Sequence, residues 1–147
     1  MKKIAISWSL AFIMTTLQAQ SPNIQIGIGQ DWPNEPSVCM NPLNPDQILI
    51  GTVPDNYYTS EDGGLTWEHG IITSAYGVNG DPVVLADTQG NFYYFHLVPD
   101  LSRFVCQRKH GISSAWGEES FTAIHNDYDI DKEWATYNPI TNSLYKS

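Results

Sequence analysis

The chain has 147 residues, and its seven Lys and Arg against sixteen Asp and Glu give a formal net charge of −9. A field of that sign repels phosphate backbones and anionic lipid, which argues against nucleic acid and membrane surfaces as partners. Dense aromatic side chains, short apolar runs punctuated by Gly and Pro, and no sustained helical period read as an all-β protein.

In chain order the first element is a targeting signal. MKKIAISWSLAFIMTTLQAQ places Lys2 and Lys3 ahead of an apolar run from Ile4 to Leu17, followed by the small residue Ala19. That is the pattern of a secretory signal peptide over residues 1–19. Ser7, Ser9, Thr15 and Thr16 interrupt the run, which is short for a membrane span of roughly 20 residues. Loss of Lys2 and Lys3 with the signal leaves the mature chain more acidic still. The protein is therefore expected to be secreted or held at the cell surface, without a membrane span once the signal is removed. In an oxidising compartment Cys39 and Cys106 can form one disulfide or remain two buried thiols. Residues 20–33 follow as an N-terminal segment in which IQIGI, Ile24 to Ile28, reads as a lone first strand.

Beyond it the sequence repeats. EPSVCMNPLNPDQILIG from Glu35, DPVVLADTQGNFYYFHL from Asp81 and KEWATYNPITNSLYKS from Lys132 superpose as strand, turn, strand. Asn41, Asp87 and Asn138 open the three turns, where their side chains can bond to nearby backbone amides. The spacing between these residues approximates one four-stranded propeller blade, roughly 40–50 residues. Similar hairpins in a β-sandwich are the competing explanation. The units so defined are residues 34–79, 80–130 and the opening of a third at 131–147. A ring closes with about four to eight blades, so the chain reads as a truncated, N-terminal portion of a longer propeller.

Within the first unit, TSEDGGLTW places Ser60, Asp62, Gly64, Thr66 and Trp67 at the spacing Ser-x-Asp-x-Gly-x-Thr-Trp. This resembles the Asp-box, or BNR repeat, of sialidase-like β-propellers. The resemblance implies an Asp-box propeller, with about two and a half blades of a six- or seven-bladed ring present here. It also implies that the motif joins the two outer strands of a blade, away from the central pocket, so that Asp62 has a structural role. Gly63 and Gly64 supply the backbone freedom of the turn, and Trp67 can fold its ring beneath it. KHGISSAWGEE, from Lys109, offers Trp116 in the next unit but lacks the aspartate and the spacing, and is at most a degenerate copy.

The same family carries an Arg-Ile-Pro arginine on its first strand, whose guanidinium grips the substrate carboxylate. Here NEPSV places Asn34 at that position, which counts against sialic acid as the substrate. The connection GTVPDNYYTS holds Asp55 as its sole acid and no arginine, so Asp55 is expected to serve a turn. His69, His96, His110 and His125 are scattered, without a clustered partner for catalysis or metal binding.

In HNDYDIDKEW, from His125, the alternating Asp127, Asp129 and Asp131 either form a solvated acidic loop or converge on calcium as oxygen ligands. No other cofactor is implied. An EF-hand is excluded because Lys132 stands at the glycine position and Asn138 at that of the bidentate glutamate. The run also resembles the Asp-Lys-Pro-Trp opening of a new blade in bacterial Asp-box proteins, with Glu133 replacing proline. Such openings face the central channel, which would bring Glu35, Asp81 and Asp131 to one acidic rim. Two carboxylates about 5–10 Å apart can hydrolyse a glycoside, and Asp81 and Asp131 are the candidates. Trp32 and Trp134 can stack on sugar rings or pack in the core. The expected function is that of a secreted bacterial glycoside hydrolase or glycan-binding protein acting on extracellular glycans. The alternative is a non-catalytic propeller used for protein interaction or adhesion.

Overall fold

The computed structural model describes residues 23–27, 33–125, 127, 129–132 and 134–147. The signal sequence, Trp32 and Glu133 lie outside the described residues. The fold is all-β, with no helix among the residues described. Strands β1 (Asn34–Asn41), β2 (Asn44–Val53), β3 (Asn56–Ser60) and β4 (Glu68–Ile71) form one antiparallel sheet in sequence order. β5 (Val83–Ala86), β6 (Asn91–Leu97), β7 (Phe104–His110) and β8 (Gly117–Phe121) form a second of the same order. β9 (Ala135–Asn138) and β10 (Ser143–Lys146) make a two-stranded hairpin.

The three turns superposed in the sequence are built alike. Asn41 Oδ1 accepts the Leu43 amide at 2.9 Å, Asp87 Oδ1 that of Gln89 at 2.8 Å, and Asn138 Oδ1 that of Ile140 at 2.9 Å. In each case a side-chain oxygen satisfies the amide two residues on, the bond that makes Asn and Asp good turn residues. The turns β1–β2, β5–β6 and β9–β10 thus start from the same device at the same place in each unit.

Packing follows from alternation along the strands, whose successive side chains face opposite sides of the sheet. Phe92 and Tyr94 of β6 join Val84 of β5 and Leu49 of β2 in a core between the two sheets, closed by Ile72 and Ile112. The sheets approach so closely that a Cβ on Gly51 would lie 2.8 Å from the Tyr94 ring. The Tyr94 hydroxyl crosses the gap to donate to the Asn56 carbonyl at 3.2 Å, and the Val84 amide donates to Ser37 Oγ at 3.0 Å. Leu97 and Phe104 form a second cluster with Ile130. The hairpin is tied to the second sheet by a 2.8 Å bond between Thr88 Oγ1 and the Tyr137 hydroxyl.

Two sequence expectations change. IQIGI is not a first strand over its described part: residues 23–27 join no sheet. The Gln25 side chain instead bonds the Gly27 carbonyl at 3.1 Å, and Gly27 lies against Pro33 and the Tyr58 hydroxyl. Trp116 takes no part in a copy of the TSEDGGLTW turn. Its ring packs edge-on against Tyr57 and Tyr94, at 5.6 and 5.8 Å between centroids, and so joins the two sheets. Cys39 and Cys106 are free thiols, and burial pushes both up to about 12.

Candidate functional site

Because all neighbouring strands are antiparallel, the connections fall at two ends of the sheets. One end holds the turns at 41–44, 86–91 and 138–143 and the loop 60–68. The other holds residues preceding β1, the connections 54–55 and 98–103, and the crossings 72–82 and 122–134 between successive units.

The TSEDGGLTW loop is bonded to itself. Asp62 Oδ1 accepts from Ser60 Oγ at 2.8 Å and from the Thr66 amide at 2.9 Å, while Asp62 Oδ2 accepts from Thr66 Oγ1 at 2.6 Å. Ser60 Oγ in turn accepts the Gly64 amide at 2.8 Å, and Trp67 Nε1 donates to the Gly64 carbonyl at 3.0 Å. Gly64 has φ 88°, and a Cβ there would meet the Trp67 ring at 3.3 Å. Glycine therefore serves both the left-handed backbone and the close approach of the indole. The Thr66 side-chain and backbone bonds, then that from Ser60, hold the Asp62 carboxyl down at about 2. Both its oxygens are engaged within the turn.

The opposite end gathers charge. Lys132 Nζ donates to Glu35 Oε2 at 3.1 Å, across 97 residues of sequence. The negative charge of Glu35 also acts on Asp81, which is partly buried. Burial first, then the negative charge of Glu35, raises the Asp81 pKa, against the opposing influence of Lys132; Asp131 adds a smaller upward push. Glu35 and Asp81 also share a backbone state, with φ of 46° and 47°, each immediately before a proline. Left-handed angles in non-glycine residues carry strain of order 1–3 kcal/mol and concentrate at functional sites.

The structure thus places Glu35, Asp81 and Asp131 within electrostatic reach of one another and adds Lys132, whose role the sequence did not disclose. Of the two neighbouring acids Glu35 acts on Asp81 more strongly, whereas Asp131 is exposed and acts on it less. An open cleft of about 530 Å³ is lined by Phe104, His125, Asp129, Asp131, Lys132 and Lys146, and so takes in Asp131 and Lys132 but not Asp81 or Glu35. That volume suits a small-molecule or saccharide site.

Other candidates fall elsewhere. Asp127, Asp129 and Asp131 are all exposed and are not brought together as calcium ligands. Among the described residues no group of three His, Cys, Asp or Glu side chains is placed to hold a metal ion. Alternation aligned these aspartates in the sequence, but the segment carrying them is not a strand. Trp134 is 69% exposed beside the β10 end of the hairpin, available to a ligand rather than packed in a core. Asn34 opens β1. Asp55 occupies the turn between β2 and β3 as expected. His69 Nε2 lies 2.8 Å from Asn56 Oδ1, and His110 Nδ1 lies 2.8 Å from Asn91 Oδ1. His96 is fully buried and its pKa is lowered by that burial, its Nδ1 2.9 Å from the Leu97 carbonyl. His96 is part of the interior, His69 and His110 are exposed on their strands, and His125 alone among the histidines lines the cleft.

No family model, no curated protein and no solved structure matches the chain.

Proposed function

We propose that the chain is part of a secreted, sialidase-like Asp-box β-propeller that hydrolyses extracellular glycans, with Asp81 as its proton-donating acid. The observation that carries this reading is the Asp81–Glu35 pair. A carboxyl that must donate a proton near neutral pH needs its pKa raised, and burial beside a second carboxylate does that. Lys132 bonds Glu35, and it is the Asp81 carboxyl whose pKa is raised, by burial and by the charge of Glu35. Asp131, exposed on the cleft wall, is the carboxylate available to activate water.

The self-bonded TSEDGGLTW turn, the matching turns at Asn41, Asp87 and Asn138, and the successive four-stranded sheets support the propeller part of the reading. Secretion rests on the pattern of residues 1–19. Asn34 at the position of the family's arginine points away from sialic acid, towards a glycan recognised by other means.

A second reading, a non-catalytic interaction or adhesion module, is favoured by one observation. Asp81, the proposed acid, does not line the cleft that holds Asp131. A panel of chromogenic glycosides with the full-length protein separates the two. Turnover lost in Asp81→Asn supports the hydrolase. Glycan binding on an array without turnover of any glycoside overturns it.

A further inference from the structure

At the same end of the second sheet as Asp81, three connections converge on an aromatic and cationic cluster. Tyr76 comes from the crossing between β4 and β5, Arg103 from the β6–β7 connection, and Phe121 from the end of β8. The Tyr76 and Phe121 rings are 5.0 Å apart between centroids and tilted by 57°, and they are 39% and 54% exposed. The Arg103 guanidinium lies 5.2 Å from the first ring and 5.4 Å from the second. Packing would normally cover rings of this size. Here two rings from separate segments stay open to solvent beside a half-buried Arg103.

We propose that Tyr76, Phe121 and Arg103 bind an anionic saccharide, one bearing a carboxylate or a sulfate. The proposal rests on the reading that the protein handles glycans and names their charge class. Aromatic faces accept the C–H surface of a pyranose ring, burying apolar area that water solvates poorly. A guanidinium held against ring faces keeps its planar N–H edge for paired donation to a carboxylate or sulfate oxygen pair. Lysine cannot reproduce that fork. The nearby Asp100 carboxylate accepts the Ser102 amide at 3.1 Å and also feels the Arg103 charge, so an anionic ligand shares the guanidinium with it. Because the chain as a whole is acidic, an anionic ligand is repelled at long range, so the cluster must supply both the contact area and the compensating charge.

The test is calorimetric titration of the full-length protein with three oligosaccharides of equal length: a uronate-containing one, a sulfated one and a neutral one. Binding of either anionic saccharide, weakened at least tenfold in Arg103→Gln and only partly restored in Arg103→Lys, is the expected result. Which of the two binds distinguishes carboxylate from sulfate as the recognised group. Tyr76→Ala and Phe121→Ala should each weaken binding several-fold while leaving the far-UV spectrum unchanged. Equal binding of the neutral saccharide, or anionic binding unaffected by Arg103→Gln, overturns the proposal while the glycan reading stands. No binding of any of the three, together with no turnover of any glycoside, overturns both.

Discussion

Lys109 should make this protein more stable as it loses its charge. Its side chain is 3% exposed, with Nζ 5.1 Å from the Trp116 ring and 5.6 Å from that of Tyr57. Burial lowers its pKa from 10.5 to about 8, against the opposing charges of Glu61 and Glu68. A native pKa below the unfolded one means that unfolding takes up a proton between these values. The destabilisation is therefore complete below pH 8 and relieved as pH rises from 8 towards 10.5. At about 1.4 kcal/mol per pH unit the gap corresponds to roughly 3 kcal/mol. The two ring contacts favour the ammonium by about 1–2 kcal/mol and offset part of it. Lys109→Met should accordingly be more stable than the parent by about 1–2 kcal/mol at pH 7, in line with the replacement of other buried charges. The assay is urea unfolding of both proteins at pH 7, 8, 9 and 10. Cys39 and Cys106, raised to about 12 from 9.0, lose stability for both proteins above pH 9, so the difference between them isolates the lysine. That difference should shrink as pH rises. A pH-independent difference, or a variant less stable at pH 7, would show that the aromatic pair holds the ammonium at a net gain and refute the reasoning.

Asp62 gives a slope of the same sign in the acid range. Its pKa is lowered from 3.8 to about 2, so its contribution is present above pH 4 and lost as pH falls through 2. The melting-temperature gap between the parent and Asp62→Ala should therefore narrow between pH 4 and pH 2, and a constant gap contradicts the turn bonds. Asp87 is buried and accepts from the amides of Gln89 and Asn91, the Asn91 side chain and the Tyr93 hydroxyl. Asp87→Ala should cost about 3 kcal/mol in denaturant unfolding by leaving those donors unsatisfied. Asp87→Asn should recover part of it, since an amide oxygen still accepts from Gln89 and Asn91 while an NH2 replaces the oxygen that the Asn91 side chain and Tyr93 bond. A Cβ at residue 70 would lie 2.2 Å from Tyr57 Cζ, so Gly70→Ala should lose about 1–3 kcal/mol. An unchanged melting temperature there would place the Tyr57 ring elsewhere.

What the sequence disclosed was local. The TSEDGGLTW turn was legible because its bonds close within the loop and depend on residue types at fixed offsets. The equivalence of Asn41, Asp87 and Asn138 was legible for the same reason. Contacts between distant segments were less so. The rim of Glu35, Asp81 and Asp131 could be drawn only because the repeat register aligned three strand openings. The register said nothing of Lys132, whose partner is Glu35 at the far side of two sheets. Lys109 and Trp116 read as parts of a failed motif, whereas the fold uses both between the sheets. IQIGI has strand composition, yet composition cannot provide a pairing edge, and its described residues settle into a local bond with Pro33 as a neighbour. The aspartates after His125 illustrate the same limit: alternation places side chains on one face only where the backbone is extended and paired.

The two ends of the sheets differ in a way that bears on function. At one end the turn carboxylates and amides are satisfied by their own loops, and Asp62 and Asp87 both have lowered pKa values; burial pushes Asp87 up, but the bonds from Asn91, Gln89 and Tyr93 outweigh it. At the other end the two repeats hold Glu35 and Asp81 at left-handed angles, and the Asp81 pKa is raised where those of Asp62, Asp87 and Asp100 are lowered. The strain occurs twice at matching positions, so it belongs to the repeat and not to an accident of one loop. A fold that needed those residues only as spacers would be better served by glycine, which takes such angles without the cost. Keeping acids there makes the end opposite the TSEDGGLTW turn the one where ligand chemistry should be sought.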